Sequence, residues 1–356
     1  MATSGTVSTT TFNTRRVVDR AFGRCKVQPQ DITAERIEIA KDLLFLLLST
    51  LGNKGILLWA LDKVILPLYQ GQAAVDLPLG TLNLLGMNLR SLTRLEGAYL
   101  SSDGGTVDFA FDDDFETVLT QTAPDGDVRV SFGTPTLVTT IGLLPGATGA
   151  LDLVAETSDD LVTWTERLAI GAATYTDRVW AWYDIDGSLA ASYLRVRETG
   201  GGTLVLRELF VGNNPSEIPI AALNQDDYIN LPDKTAAGRP LQAWFDRQRG
   251  SATSLARLMT WQVCDQLNRY NQIVAYRQRY LQDVGTLAQE VEVPQRWYAY
   301  VVARLAADLS LELPEVPPQW TDRLMELANQ AWQDVQNAET DDAPMTVGPS
   351  IGCYTK

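Results

Sequence analysis

Val128-Arg-Val-Ser-Phe132, Leu151-Asp-Leu-Val-Ala155, Tyr193-Leu-Arg-Val-Arg197 and Thr203-Leu-Val-Leu-Arg-Glu-Leu-Phe-Val211 decide the fold. Each is short, rich in β-branched and aromatic residues, and bounded by turn formers, which is the pattern of a strand. Phe109-Ala-Phe111, Leu137-Val-Thr-Thr-Ile-Gly-Leu143, Thr163-Trp-Thr165 and Val179-Trp-Ala-Trp-Tyr-Asp-Ile185 complete a set of about eight. That number of strands at that spacing predicts an antiparallel β-sandwich of jelly-roll type.

The same block is acidic. Glu96 to Val211 holds 19 Asp+Glu and 6 Lys+Arg, a net of −13 (6 − 19), and the whole chain is −15. The remainder therefore carries about −2, by the same count. A charged, strand-rich block between near-neutral flanks reads as a domain inserted into a loop of another domain.

The flanks read as helices with short strands. Thr14 caps a helix over Arg15 to Phe22 that ends at Gly23. Asp31 or Thr33 caps a second, with Ile37, Ala40, Leu44, Leu47, Leu48 and Leu51 on one face. Val64 to Leu79 reads as a short hairpin. Gln225 to Leu231 is a short amphipathic piece, and Leu241 to Arg247, Leu255 to Val263 and Gln272 to Tyr280 read as strands. Pro294 opens a helix with a Trp297, Val301, Leu305, Leu309 stripe. Another runs Trp320 to Ala338, with Leu324, Leu327, Ala331 and Val335 on one face. The expected organisation is α+β and multidomain. A discontinuous α-helical bundle body with short strands spans 1–95 and 213–340, the inserted sandwich 96–212, and a C-terminal arm 341–356.

Composition narrows the chemistry. The chain has no histidine, which removes Ser–His–Asp and Cys–His catalysis and the commonest transition-metal ligand. Cys25, Cys264 and Cys353 are far apart and odd in number, so neither a disulfide framework nor a zinc site is expected. The acidic balance disfavours a surface that grips phosphates, though not a wall past which DNA slides. No apolar run is long enough to span a membrane, and Met1-Ala-Thr-Ser-Gly5 reads as a polar arm, not a signal peptide.

Several groups invite a functional reading. Asp112, Asp113 and Asp114 offer carboxylate oxygens for Ca²⁺, against a plain solvated acidic turn. Trp180 and Trp182 share one face of a strand and Tyr183 takes the other. They form either a glycan platform or sandwich core. Glu217, Asp226 and Asp227 have no spacing that fixes an acid/base pair, so no catalytic residue is nominated and the chain is expected not to be an enzyme. Lys234, Arg239, Arg247, Arg249 and Arg257 form a basic run that touches an acidic neighbour or is simply solvated. Met345, Ile351 and Tyr354 lie in the polar C-terminal arm, of the kind that orders on binding.

The flanks carry a resemblance. Gly55-Ile-Leu-Leu-Trp59, Leu66-Pro-Leu-Tyr-Gln-Gly71, Ile218-Pro-Ile-Ala-Ala-Leu-Asn-Gln-Asp-Asp-Tyr228, Leu231-Pro-Asp-Lys-Thr-Ala-Ala-Gly-Arg-Pro240, Ala243-Trp-Phe-Asp-Arg-Gln248, Arg277-Gln-Arg-Tyr-Leu-Gln-Asp283 and Val293-Pro-Gln-Arg-Trp-Tyr298 follow one another in order. This order resembles the head-to-tail adaptors of short-tailed bacteriophages, the tail tubular protein A and tail accessory group. The insertion is similar to discoidin-like (factor 5/8 type C, galactose-binding-like) sandwiches, through Glu156-Thr-Ser-Asp-Asp-Leu-Val-Thr-Trp164 and Tyr193-Leu-Arg-Val-Arg-Glu198.

The adaptor resemblance implies a structural virion protein that forms a ring of twelve copies between portal and tail tube or nozzle. DNA would pass through without sequence recognition or membrane contact during ejection. The basic run and the arm would then touch the next subunit, the portal or the channel, and the sandwich a fibre or the capsid. Assembly would occur in the host cytoplasm. No cofactor is implied beyond a structural Ca²⁺ in the sandwich. The alternative is a carbohydrate- or host-surface-binding module carried on a helical scaffold.

Overall fold

The structure is a computed structural model. It describes residues 11–52, 58–102, 106–121, 126–185, 190–247, 256–282 and 284–338. In chain order, α1 (Thr14–Arg24) and α2 (Ala34–Leu51) precede β1 (Leu61–Pro67), β2 (Ala74–Asp76) and β3 (Thr81–Arg94). The acidic block supplies β4 (Ala98–Ser101), β5 (Leu119–Thr120), β6 (Asp127–Thr136), β7 (Thr140–Pro145), β8 (Gly149–Ser158), β9 (Thr165–Tyr175), β10 (Ala181–Asp184), β11 (Ala191–Glu198) and β12 (Val205–Pro219). Then come β13 (Ala221–Leu223), α3 (Gln225–Ile229), β14 (Ala237–Gly238), β15 (Gln242–Asp246), β16 (Arg257–Trp261), β17 (Val263–Cys264), β18 (Gln272–Arg279), α4 (Tyr298–Glu312) and α5 (Pro318–Ala338).

The chain divides into two compact units, one of residues 1–62, 80–83 and 278–356, the other of 63–79 and 84–277. The first is helical. Val17, Val18 and Phe22 of α1, Leu44, Leu48 and Leu51 of α2, Val301, Leu305 and Leu309 of α4, and Leu324, Ala328 and Val335 of α5 share one core. The apolar stripes explain why these segments pack as helices: residues three and four apart fall on one face. Trp297 is buried among Trp59, Tyr300 and Trp332. The α1 cap is Asn13, whose side chain accepts from the Arg16 N–H, and not Thr14. Thr14 is buried, and its hydroxyl donates to the Gln289 carbonyl instead. Among the described residues no helix is long and apolar enough to cross a membrane.

The second unit is an α+β body dominated by an antiparallel, jelly-roll-like sandwich. One sheet has the order β4-β6-β11-β8-β9. The facing sheet contributes β5, β12, β7 and β10. Alternation does the sorting: Val128, Val130, Leu194 and Val196 point into the core with Leu119, Ile141, Leu143 and Leu153, while Arg129, Arg195 and Arg197 take the opposite parity. A register shift between Leu206 and Glu208 resets the parity of β12. Leu206 and Leu209 both reach the sandwich core, and Glu208 and Phe210 turn to the other face.

The expected limit of the insertion, 212, falls within one strand. The first part of β12 pairs with β7, and its second part pairs with β3, Gly212 opposite Arg94 and Pro219 opposite Asn88. The sandwich sheet thus continues into a sheet of order β1-β18-β3-β12-β7-β10. A smaller sheet, β13-β15-β16-β2, includes a parallel pair, β13 with β15. The hairpin expected over 64–79 does not form: β1 neighbours β18 and β2 pairs with β16. Gly71, at φ +78°, turns the chain from one sheet toward the other, and its N–H donates to the Cys264 carbonyl.

Candidate functional site

The open end of the sandwich carries a recess built by the turn after β8. Ser158 Oγ accepts from the Asp160 and Leu161 N–H groups and donates to Asp160 Oδ1. The same oxygen accepts from the Val162 and Thr163 N–H groups at 2.8 and 2.7 Å. Those donors, Thr163 first, hold the Asp160 carboxyl down to about 2, so it stays anionic. Asp159 ties the turn to β11 by accepting from the Ser192 N–H. The Ser-Asp-Asp stretch therefore works as a self-capping turn. Trp164, which ends the motif, lies 4.1 Å from the Arg195 guanidinium.

Arg167 on β9 faces this turn. Its Nε donates to Thr157 Oγ1 at 2.8 Å, and its other guanidinium nitrogens have no partner among the described residues. Thr157, Ser158, Asp159, Asp160, Thr163 and Arg167 line a recess of ≈360 Å³. Thr157, Arg167 and Ala191 also border a separate small void of ≈10 Å³ lined by Phe132, Val138 and Ile185. A cationic fork, anchored carboxylates and hydroxyls suit a polar, hydroxylated ligand.

Trp180, just before β10, and Trp182 and Tyr183 within it sit elsewhere. Trp180 is buried, and the Trp180 and Trp182 rings stack at 4.9 Å with Phe210 and Tyr270 packed around them. Tyr183 projects to the other face, and its hydroxyl is 2.9 Å from that of Tyr175. None of the three presents an open platform. The rings pack because β7 offers Gly142 beneath Trp182, where a Cβ would lie 2.3 Å from the indole.

The three aspartates do not converge. Asp113 bonds to Arg94, Arg269 and Tyr270, while Asp112 accepts from the Thr117 hydroxyl and the Asp114 N–H. Among the described residues no group of three or more Cys, Asp or Glu is arranged to hold a metal ion.

The basic run is dispersed into local contacts. Lys234 donates to the Ile229 and Leu231 carbonyls, Arg239 to Ser91 Oγ, and Arg257 pairs with Asp76. Arg247 lies against the Phe245 ring. Glu217 is bound to Arg90 and Asn88, not to Asp226 or Asp227. Arg249, Met345, Ile351 and Tyr354 lie outside the described residues, as does Cys353.

Sequence reasoning missed the most elaborate polar cluster. Arg94 on β3 meets Glu208 on β12 at 2.8 Å, and also Asp113 and the Phe111 carbonyl. Tyr270 donates to Asp113, and Arg269 reaches the same carboxylate at 3.0 Å. Burial works against the Asp113 charge, but Tyr270, Arg94 and Arg269 outweigh it and hold its pKa down. Desolvation pushes Glu208 up to about 8 despite Arg94. The one available signal was a charged pair, Arg207-Glu208, inside an otherwise apolar strand.

No protein-family model matches the chain, and no curated protein sequence matches it. Solved structures with a similar arrangement are found. CBM32 of AlyQ, in complex with 4,5-unsaturated mannuronic acid, has 13% identity and TM-score 0.30, over 33% of this chain and 97% of that one. CBM62 of Clostridium thermocellum Xyl5A has 19% identity and TM-score 0.30, over 35% and 98%. Chitosan-binding module 1 of a Paenibacillus sp. IK-5 chitosanase/glucanase has 22% identity and TM-score 0.27, over 33% and 96%. The sandwich itself is defined by the strand pairing and inward alternation above.

Proposed function

We propose that this chain is a non-catalytic binding protein whose sandwich recognises carbohydrate on a cell surface, carried on a helical scaffold. The observation that carries this reading is the recess at the sandwich mouth. There, Arg167 offers guanidinium donors without partners among the described residues, beside anchored carboxylate acceptors and threonine hydroxyls. Sugars present hydroxyl edges that meet such groups. The test is a glycan array probed with the full chain, followed by calorimetry with Arg167→Ala and Asp160→Ala. Saturable binding that both substitutions remove supports the reading, and no retention on any glycan sinks it. The full chain is needed because β12 belongs to both the sandwich and the continuing sheet.

A second reading concerns the scaffold: a head-to-tail adaptor of a short-tailed phage virion, ringed beneath the portal and joined to the tail tube. It rests on the ordered resemblance of 1–95 and 213–340. It is favoured by Phe45 and Leu46, adjacent on α2 and both exposed, while Leu44, Leu47 and Leu48 fill the core. An apolar pair outside a filled core suits a face buried by the next subunit. Light scattering and negative-stain imaging with candidate portal rings test it. Portal-dependent rings support the adaptor, and a monomer indifferent to portal removes it without touching the carbohydrate reading.

A further inference from the structure

We infer that the cleft between α1 and α4 is a docking site for an acidic peptide segment of a partner protein. The chain is −15 overall, yet α1 carries Arg15, Arg16, Arg20 and Arg24 against Asp19 alone, a net of +3 (4 − 1). Arg15 is neutralised by Asp19 at 3.0 Å, and Arg16 lies over the Phe12 ring. Arg20 and Arg24 are exposed and have no carboxylate partner among the described residues. Both line a cleft of ≈620 Å³, a size that takes several side chains.

The floor of this cleft is apolar. Phe12 stacks on Tyr298 at 4.8 Å, with Val302 beside them. The Tyr298 hydroxyl is occupied: it accepts from the Phe12 N–H and donates to the Val291 carbonyl. Arg16 and Tyr298 cover the two faces of the Phe12 ring, so what the cleft offers for apolar contact is the ring edges. Gly23 opens the wall, since a Cβ placed there finds no atom within 4 Å.

Position and charge select the occupant. Arg20 and Arg24, one helical turn apart, are about 6 Å from each other. Carboxylates on alternate residues of an extended peptide are about 7 Å apart and meet both. The intervening residue then turns away, and an apolar side chain two residues further along shares the carboxylates' face and lies against the edges of the Phe12 and Tyr298 rings. Two arginines make too short a basic track for a sugar–phosphate backbone. Exposed ion pairs contribute little each, so weak binding is expected, with the arginines setting its selectivity and salt dependence.

The experiment is fluorescence polarisation with the full chain. The probe is a fluorescein-labelled decapeptide with two glutamates at alternate positions and, continuing the same face, a leucine and a phenylalanine at the next two alternate positions, beside a ten-nucleotide single-stranded DNA. Saturable peptide binding is expected, weakened about tenfold by the Arg20→Glu/Arg24→Glu pair. Gly23→Leu adds bulk at the cleft wall, where its Cβ meets no atom within 4 Å, and is expected to reduce binding similarly with an unchanged circular dichroism spectrum. If the double variant does not fold, Gly23→Leu decides alone. Peptide binding untouched by Gly23→Leu, no saturable binding, or tighter binding of the oligonucleotide each overturns the inference.

Discussion

The Glu208 carboxylate meets the Arg94 guanidinium at 2.8 Å, with the Glu208 side chain fully buried. The two residues come from β12 and β3, which pair across the point where the sandwich sheet continues into its neighbour. The bulge in β12 turns Glu208 out of the sandwich core and toward Arg94. One carboxylate oxygen, Oε2, has no hydrogen-bond partner. The contact therefore joins two parts of the second unit at the cost of a buried carboxyl with one oxygen unsatisfied.

Stability is expected to depend on pH through this group. The folded chain holds the Glu208 proton up to about 8, while the unfolded chain releases it near the ordinary value of 4.5. Between those values the folded state binds more protons, so stability falls as pH rises from 5 toward 8.5. The span is on the order of a few kcal/mol. Thermal melts across that window should show a falling midpoint for the native chain and a flatter profile for Glu208→Gln. A flat native profile would mean that the carboxyl is hydrated in solution.

Removing one partner costs more than removing both. Arg94→Ala takes the hydrogen-bond donor from the buried Glu208 carboxyl and leaves Asp113 with Arg269 and Tyr270, and is expected to destabilise by about 1–3 kcal/mol. Arg94→Met combined with Glu208→Leu is expected to recover most of the loss, because two apolar side chains replace a pair that is costly to desolvate. Urea denaturation of the three chains checks this. A double variant no better than the single one would contradict it.

The Trp180 and Trp182 rings are expected to act on stability and not on ligand. Trp180→Ala empties a packed site and should cost about 3–5 kcal/mol. Gly142→Ala pushes a methyl into the Trp182 ring and should cost about 1–3 kcal/mol. Variants that remain folded should keep whatever glycan affinity the native chain has. A folded Trp180→Ala that loses binding with unchanged melting behaviour would place these rings at the ligand.

A fragment cut at the sequence boundary is expected to fail. Residues 96–212 end inside β12 and strip from it the β3 pairing and the Arg94–Glu208 contact. Residues 63–277 retain both. Circular dichroism melts and amide NMR dispersion should show a cooperative fold for the longer piece and a weakened or aggregated one for the shorter. Equal cooperativity in both would show that the continuing sheet adds nothing.

The sequence by itself determined the elements whose pattern is local. Val128, Val130, Leu194 and Val196 alternate, so their strands and their buried face were legible. The stripe of Trp297, Val301, Leu305 and Leu309 likewise announced α4. The Ser158–Trp164 stretch was legible as a motif, though not as a turn that positions Asp160 opposite Arg167. What only the tertiary structure decided were relations between distant residues. Arg94, Asp113, Glu208 and Tyr270 are separated by long stretches of chain, and no periodicity links them. The bulge that aims Glu208 changes the parity of β12 by a single residue, which a strand pattern does not announce. The limits of the sandwich were illegible for the same reason: charge marks where a block begins and ends, but hydrogen bonding lets one strand serve two sheets. Likewise, the fate of Trp180 and Trp182 depended on Gly142, Phe210 and Tyr270, which fold brings to them from three other segments.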